Sequence, residues 1–157
     1  MQTKEYTFID RSKWPTGEWS GEPDKVQWQD QETGLPCIAK RNVDMGFWCG
    51  YVGISEDHPL FGKSYEDIDI NCIHGGLTFS GLCEHDDNEH GICHVPDVGE
   101  PDRVWWFGFD CGHAGDIMPH DRFEYGHPLG FMFVAISRYR TLGYVQQECK
   151  LLAYRLK

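Results

Sequence analysis

The run Arg103-Val104-Trp105-Trp106-Phe107-Gly108-Phe109 limits what this chain can become more than any other. Its residue types favour a strand, and aromatic side chains fall on both faces of it. Successive strand side chains point to opposite faces, so Trp105 and Trp106 cannot both enter one core. One belongs to the core, and the other fills a second layer or lines a pocket. The strand must therefore be buried and central. Gly112 and Gly115 end the regular element just beyond it. Asp110, His113 and Asp116, three groups able to bind a metal or move a proton, thus sit just past the end of a buried strand.

The remaining segments arrange themselves around that strand. Glu5 to Ile9, Val26 to Trp28, Leu35 to Ala39 and Phe47 to Ile54 read as strands, and Asp30-Gln31-Glu32-Thr33-Gly34 reads as a hairpin turn between the second and third. Arg11 to Pro23 reads as an ordered loop pinned by Trp14 and Trp19. Ser64 followed by Asp67 resembles a capping box opening a short helical turn. Asp69 to Phe79 is strand-like, although Gly75 and Gly76 must bend or interrupt it.

Glu84 to Asp102 is the most polar segment and reads as a long, exposed excursion, with Ile92 to Val95 as a short strand. Ile117 to Gly130 is loop-like. Phe131 to Ile136 is a buried strand or the start of a helix, and periodicity does not decide between them. Leu142, Val145, Cys149, Leu152 and Leu156 recur at a 3-4-3-4 spacing, the apolar stripe of a helix from about Thr141 to Leu156. The fold class expected is α+β: one domain over residues 1–157, with a mainly antiparallel twisted sheet and a C-terminal amphipathic helix.

Charge and cysteine content narrow the function. The formal net charge is −11, which disfavours direct binding to nucleic-acid backbones because that needs a basic face. It permits a basic protein partner, or an anion bound through a metal. The longest apolar run is too short to span a bilayer, and no basic-then-apolar start marks a secretory signal. Seven cysteines is an odd number. They are expected as reduced thiols in a cytoplasmic compartment, with no membrane partner.

The chemistry concentrates in two stretches. His74-Gly75-Gly76 ends one apolar run, and Asp110, His113 and Asp116 follow the other. Two imidazoles and two carboxylates suit a divalent Zn, Mn or Fe ion in an open coordination sphere. Such a site makes a nucleophile from water near neutral pH. A metal-free version uses His113 as base, oriented by Asp110 or Asp116. The structural alternative has Asp110 capping the following turn, His113 on a backbone carbonyl and His74 as a satisfied core histidine. A Cys2His2 zinc site from Cys72, His74, Cys111 and His113 competes for the same imidazoles. Phe61-Gly62-Lys63-Ser64 ends like a P-loop, but Asp57 stands where the first glycine is required. Lys63, Arg103 and Trp106 are the candidate substrate contacts.

The segments His74-Gly75-Gly76-Leu77-Thr78-Phe79 and Trp105-Trp106-Phe107-Gly108-Phe109-Asp110-x-x-His113-x-x-Asp116 resemble those of an uncharacterised family of phage and bacterial proteins. His58-Pro59-Leu60-Phe61-Gly62-Lys63 matches a further segment of that family, and Tyr139 to Leu156 matches its terminal helix containing tyrosine and glutamate. The resemblance covers roughly residues 35 to 157, with Phe131 to Ile136 as an insertion. It implies a phage or prophage origin, hence a host-cell cytoplasm, and carries no activity with it.

The first expectation is a small metal-dependent hydrolase of a phosphoester or nucleotide, with His74, Asp110, His113 and Asp116 as catalytic and metal-binding residues. The alternatives are a non-enzymatic acidic interaction protein that binds and inhibits a host factor, and a small-molecule binding module.

Overall fold

The computed structural model describes residues 1–83, 87–120 and 137–157. Six antiparallel strands form one sheet. They are β1 (Lys4–Tyr6), β2 (Lys25–Gln29), β3 (Pro36–Arg41), β4 (Trp48–Ser55), β5 (Phe79–Leu82) and β6 (Val104–Asp110), in the spatial order β1-β2-β3-β4-β6-β5. Among the described residues one α-helix, α1 (Leu142–Leu156), follows. This is the expected α+β architecture, and the sheet is open. Phe131 to Ile136 and most of Ile117 to Gly130 lie outside the described residues. Among the described residues, no helix is long and apolar enough to cross a membrane.

Strand β6 has a neighbour on each side, β4 and β5, and its alternation splits the aromatic residues as the sequence requires. Phe107 and Phe109 enter the larger core with Trp48, Val52, Ile54, Cys37 and Ala39. Helix α1 covers that face with Val145, Cys149, Leu152, Ala153 and Leu156. A β-carbon at Gly50 would run into the Phe109 ring and the Cys149 sulfur, so this glycine lets the helix approach closely. Thr141 caps the helix by accepting from the amide of Tyr144 at 3.2 Å. At the other end His58 Nε2 donates to the carbonyl of Leu156 at 2.7 Å, while its Nδ1 accepts from the Leu60 amide. The histidine of the His-Pro-x-x-Gly-Lys segment thus satisfies an orphan carbonyl of the last helical turn.

The opposite face buries Trp106, Val104 and Ile38. The excursion is more exposed than strand β6 that follows it, as its polar composition suggests. Acidic residues along it face solvent, but Cys93 and His94 are buried. Lys25, fully buried on β2, donates to the carbonyls of Asn88 at 2.6 Å and Cys93 at 2.8 Å. Gln27 exchanges two hydrogen bonds with the backbone of Val95. These side-chain bonds take the place of the short strand expected at Ile92 to Val95. The pattern of seven reduced thiols is also corrected: Cys83 and Cys93 form a disulfide, and the other five cysteines are free.

The stretch from Asp69 to Leu77 is not a strand. Gly75 and Gly76 have φ of +67° and +83°, a left-handed conformation that no strand contains. Ile68, Ile70, Ile73 and Leu77 nevertheless pack on the helix-side core. Pairing with β6 begins at Thr78, whose amide donates to the carbonyl of Gly108.

Two outcomes follow from this packing. Val145→Asp places an unpaired charge where the side chain is fully buried, and equilibrium denaturation should show a loss of about 3–5 kcal/mol. Reduction of Cys83–Cys93 by a dithiol releases a ten-residue closure; it should cost about 2–3 kcal/mol in the same measurement.

Candidate metal centre

Beyond β6 the chain turns sharply. The Asp110 carboxylate accepts from the Gly112 amide at 2.9 Å through one oxygen and from the Thr78 hydroxyl at 3.0 Å through the other. Cys111 is still bound to the carbonyl of Trp48. The chain then closes a second turn, in which the Asp116 amide donates to the carbonyl of His113. The Asp116 carboxylate folds back to accept from the His113 amide at 3.1 Å. The site is therefore built on two consecutive turns whose acidic side chains satisfy their own backbone.

His74 comes to the same place from the irregular stretch before β5. Its Nε2 lies 2.8 Å from Oδ2 of Asp116, and its Nδ1 lies 2.9 Å from the hydroxyl of Tyr144. Its amide donates to Glu148 at 2.7 Å. Tyr144 and Glu148 are one turn apart on α1, so the helix that covers the core also orients this histidine. The other oxygen of Asp116 accepts from Nε of Arg140 at 2.8 Å. Burial opposes ionisation of Asp116, but the hydrogen bonds from Arg140, His74 and the His113 amide outweigh it and hold the carboxyl below its usual range.

His113 completes the group. Its Nδ1 is 3.7 Å from a carboxylate oxygen of Asp110 and 3.7 Å from one of Asp116. The atom is buried and has no hydrogen-bond partner among the described residues. The ring packs edge-on to His74 and lies over Gly75, where a β-carbon would collide with the imidazole. The His-Gly-Gly sequence thus has a steric reason. Gly75 supplies both the left-handed backbone and the space that His113 fills.

One ligand atom each from His74, His113 and Asp116 fall within 4.8 Å of one another. The separations of 2.8 Å and 3.7 Å from Asp116 bracket the edge of about 3.3 Å expected for a tetrahedron with metal–ligand bonds of about 2.0–2.1 Å. The unpartnered Nδ1 of His113 and the two nitrogen, one oxygen donor set both fit a divalent ion of the Zn, Mn or Fe type. Asp110 stands beside this group, within 3.7 Å of His113, and is not one of the three.

The other candidates fall elsewhere. Cys72 is exposed and Cys111 is buried. Desolvation first, then the Asp116 charge, pushes the Cys111 thiol far above its ordinary value. Among the described residues the ligand atoms that converge are those of His74, His113 and Asp116, without either cysteine, so the Cys2His2 zinc arrangement is not assembled. Lys63 points to solvent, and its carbonyl accepts from the Trp105 indole. Arg103 is exposed, pairs with Glu56 and lies over Phe61. It precedes β6, whereas the site follows that strand, a separation of about 20 Å along its seven residues. Trp106 is fully buried against His94 on the sheet face away from α1. Arg140, Tyr144 and Glu148 were not among the candidates, although their i, i+4, i+8 spacing marks one polar stripe leading into and along the helix. Comparison with protein-family models, curated proteins and solved structures gives no match.

Gly75 and Gly76 provide an internal control. Both have positive φ, but a β-carbon at Gly76 meets nothing within 4 Å. Alanine at either should cost about 1–2 kcal/mol in backbone strain. Only Gly75→Ala should also displace the His113 ring, visible as a change in the imidazole NMR signals of His113 that Gly76→Ala lacks.

Proposed function

We propose that this chain is a small metal-dependent hydrolase acting on a phosphoester or nucleotide, with a divalent ion held by His74, His113 and Asp116. The observation that carries the reading is the convergence of these three side chains from two separate stretches, with Nδ1 of His113 left without a hydrogen-bond partner among the described residues. A bound ion of this kind supplies a nucleophile from water near neutral pH and polarises the bond to be cut. The chain's own groups divide the remaining work. In the chain as it stands Nε2–H of His74 donates to Asp116 and Nδ1 accepts from the Tyr144 hydroxyl; an ion at Nε2 would displace that proton, and Nδ1–H would then donate to Tyr144, which keeps the ring oriented. Glu148 fixes the backbone of the same residue. Asp110, whose oxygens accept from Gly112 and Thr78, stands beside His113 and holds the turn from which that ring projects.

A second reading has its own support. Both oxygens of Asp116 are already engaged, by Arg140 on one side and by His74 and the His113 amide on the other. That arrangement suits a metal-free acid/base site with His113 as base. We place either activity in the cytoplasm, that of a host cell if the chain is phage-encoded. In a reducing compartment of that kind, Cys83 and Cys93 would be carried as thiols.

The two readings part on metal dependence. Titration of chelator-treated protein with Zn or Mn should give stoichiometric binding and a higher melting temperature, because an ion that binds only the native state stabilises it by mass action. Loss of a direct ligand in Asp116→Asn or His113→Ala should weaken binding by more than about 100-fold, beyond the effect of outer partners. Hydrolysis of a chromogenic phosphodiester should follow occupancy. No binding and no change in melting temperature would sink the metal reading and leave the acid/base one.

A further inference from the structure

We infer that Arg140 is the anion-binding element of this site, and that the group it receives is a phosphoryl oxyanion lying next to the ion. The inference rests on the metal reading for its second half. Its first half rests on the chain alone. Of the described residues that touch His74, His113 or Asp116 through hydrogen bonds or ion pairs, Arg140 is the one side chain with a permanent positive charge. The others are Asp110, Glu148 and Tyr144. Lys63 and Arg103, the cations the sequence offered for this task, lie at the far end of β6.

The guanidinium is held in place but not used up. Its Nε donates to Asp116 at 2.8 Å, and its central carbon lies 4.9 Å from the centre of the Tyr144 ring. Those two contacts fix the plane of the group. Neither Nη makes a hydrogen bond to any described residue, and the side chain is 29% exposed. A guanidinium has five N–H donors in a rigid fork that matches two oxygens of a phosphate. Four of those donors remain on the two Nη atoms. The Asp116 carboxylate that anchors Arg140 through one oxygen offers its other oxygen to the metal group. An oxyanion held by the free Nη atoms is therefore one carboxylate away from the ion.

Charge makes the two parts interdependent. Asp110 and Asp116 lie against His113, and Glu148 holds the His74 amide, so the group carries three carboxylates and one arginine, which pairs with Asp116. That balance repels an anion in the absence of an ion. A divalent ion reverses it locally, and the anion then meets positive charge on two sides. Phosphate should accordingly bind the loaded protein much more tightly than the stripped one.

The test titrates inorganic phosphate into Mn-loaded protein, freed of unbound ion, by calorimetry. Mn affinity is measured separately for each variant. The parent should bind phosphate. Arg140→Gln, loaded to saturation at the Mn affinity measured for it, should bind phosphate at least tenfold more weakly than the loaded parent. Acetate should bind more weakly than phosphate; equal binding of acetate would overturn the phosphoryl assignment. Phosphate affinity unchanged in Mn-loaded Arg140→Gln would overturn the role of Arg140. If Arg140→Gln loses Mn or fails to fold, Arg140→Lys decides, since it keeps the charge beside Asp116 and loses the fork. A tenfold weaker phosphate affinity supports the inference, and an unchanged one overturns it. If the parent itself binds no Mn, the metal reading fails, and the metal-free parent is titrated with phosphate. Binding that Arg140→Gln abolishes sustains the role of Arg140, and no binding overturns it.

Discussion

Burial of β6 on both faces is the constraint on which the rest of this structure depends. A strand reading Val-Trp-Trp-Phe-Gly-Phe offers water no face, so the chain must cover two. It covers one with the regular helix α1. It covers the other with an irregular segment that buries little apolar surface of its own and is held instead by side chains of β2 and a disulfide. The far end of the strand is held by its pairing with β4, which runs on to Asp110, and by the Cys111 amide on the carbonyl of Trp48. The turns after Asp110 inherit that rigidity, and His113 and Asp116 sit on those turns.

What the sequence made legible follows from period and punctuation. The 3-4-3-4 stripe marked α1 to within a residue, and the turn at Asp30 to Gly34 marked the β2–β3 hairpin. His113 and Asp116 were visible as polar groups just past the end of β6, and His74 as one beside two glycines in an apolar stretch that the structure does not make a strand. Asp110 looked equivalent to them but is occupied with Gly112 and Thr78. Spacing alone cannot separate a carboxylate that caps its own turn from one that reaches across. Trp106 was ambiguous for a related reason: when both faces of a strand are covered, alternation does not say which is the pocket side. The Cys83–Cys93 pair and the buried amine of Lys25 were hidden because each depends on how the excursion docks, a tertiary matter. The partners on α1 carried a signal in their fourfold spacing, overshadowed by the stronger apolar stripe of the same helix.

Asp116 joins three parts of the chain through three side-chain hydrogen bonds. It binds its own turn, the irregular stretch before β5 and the residue leading into α1. A carboxylate buried so deeply is tolerable because each oxygen has charged or N–H partners. Helix, loop and turn thus share one anion. The positions of His74 and Arg140 are for that reason not independent of each other.

The contact between Asp116 and Arg138 adds a topological consequence. The amide of Ile117 donates to the carbonyl of Arg138, and the amide of Arg138 to the carbonyl of Gly115, both at 2.9 Å. The chain that leaves the site returns to it within a few ångströms and is stitched there by two backbone bonds. The closure joins the turn that carries His113 and Asp116 to the residue two positions before Arg140. Turn and arginine are thus tied by the backbone as well as by the Asp116 carboxylate. A shift of this closure would carry the carboxylate and the guanidinium together, so the spacing between them is the last thing in the site to change.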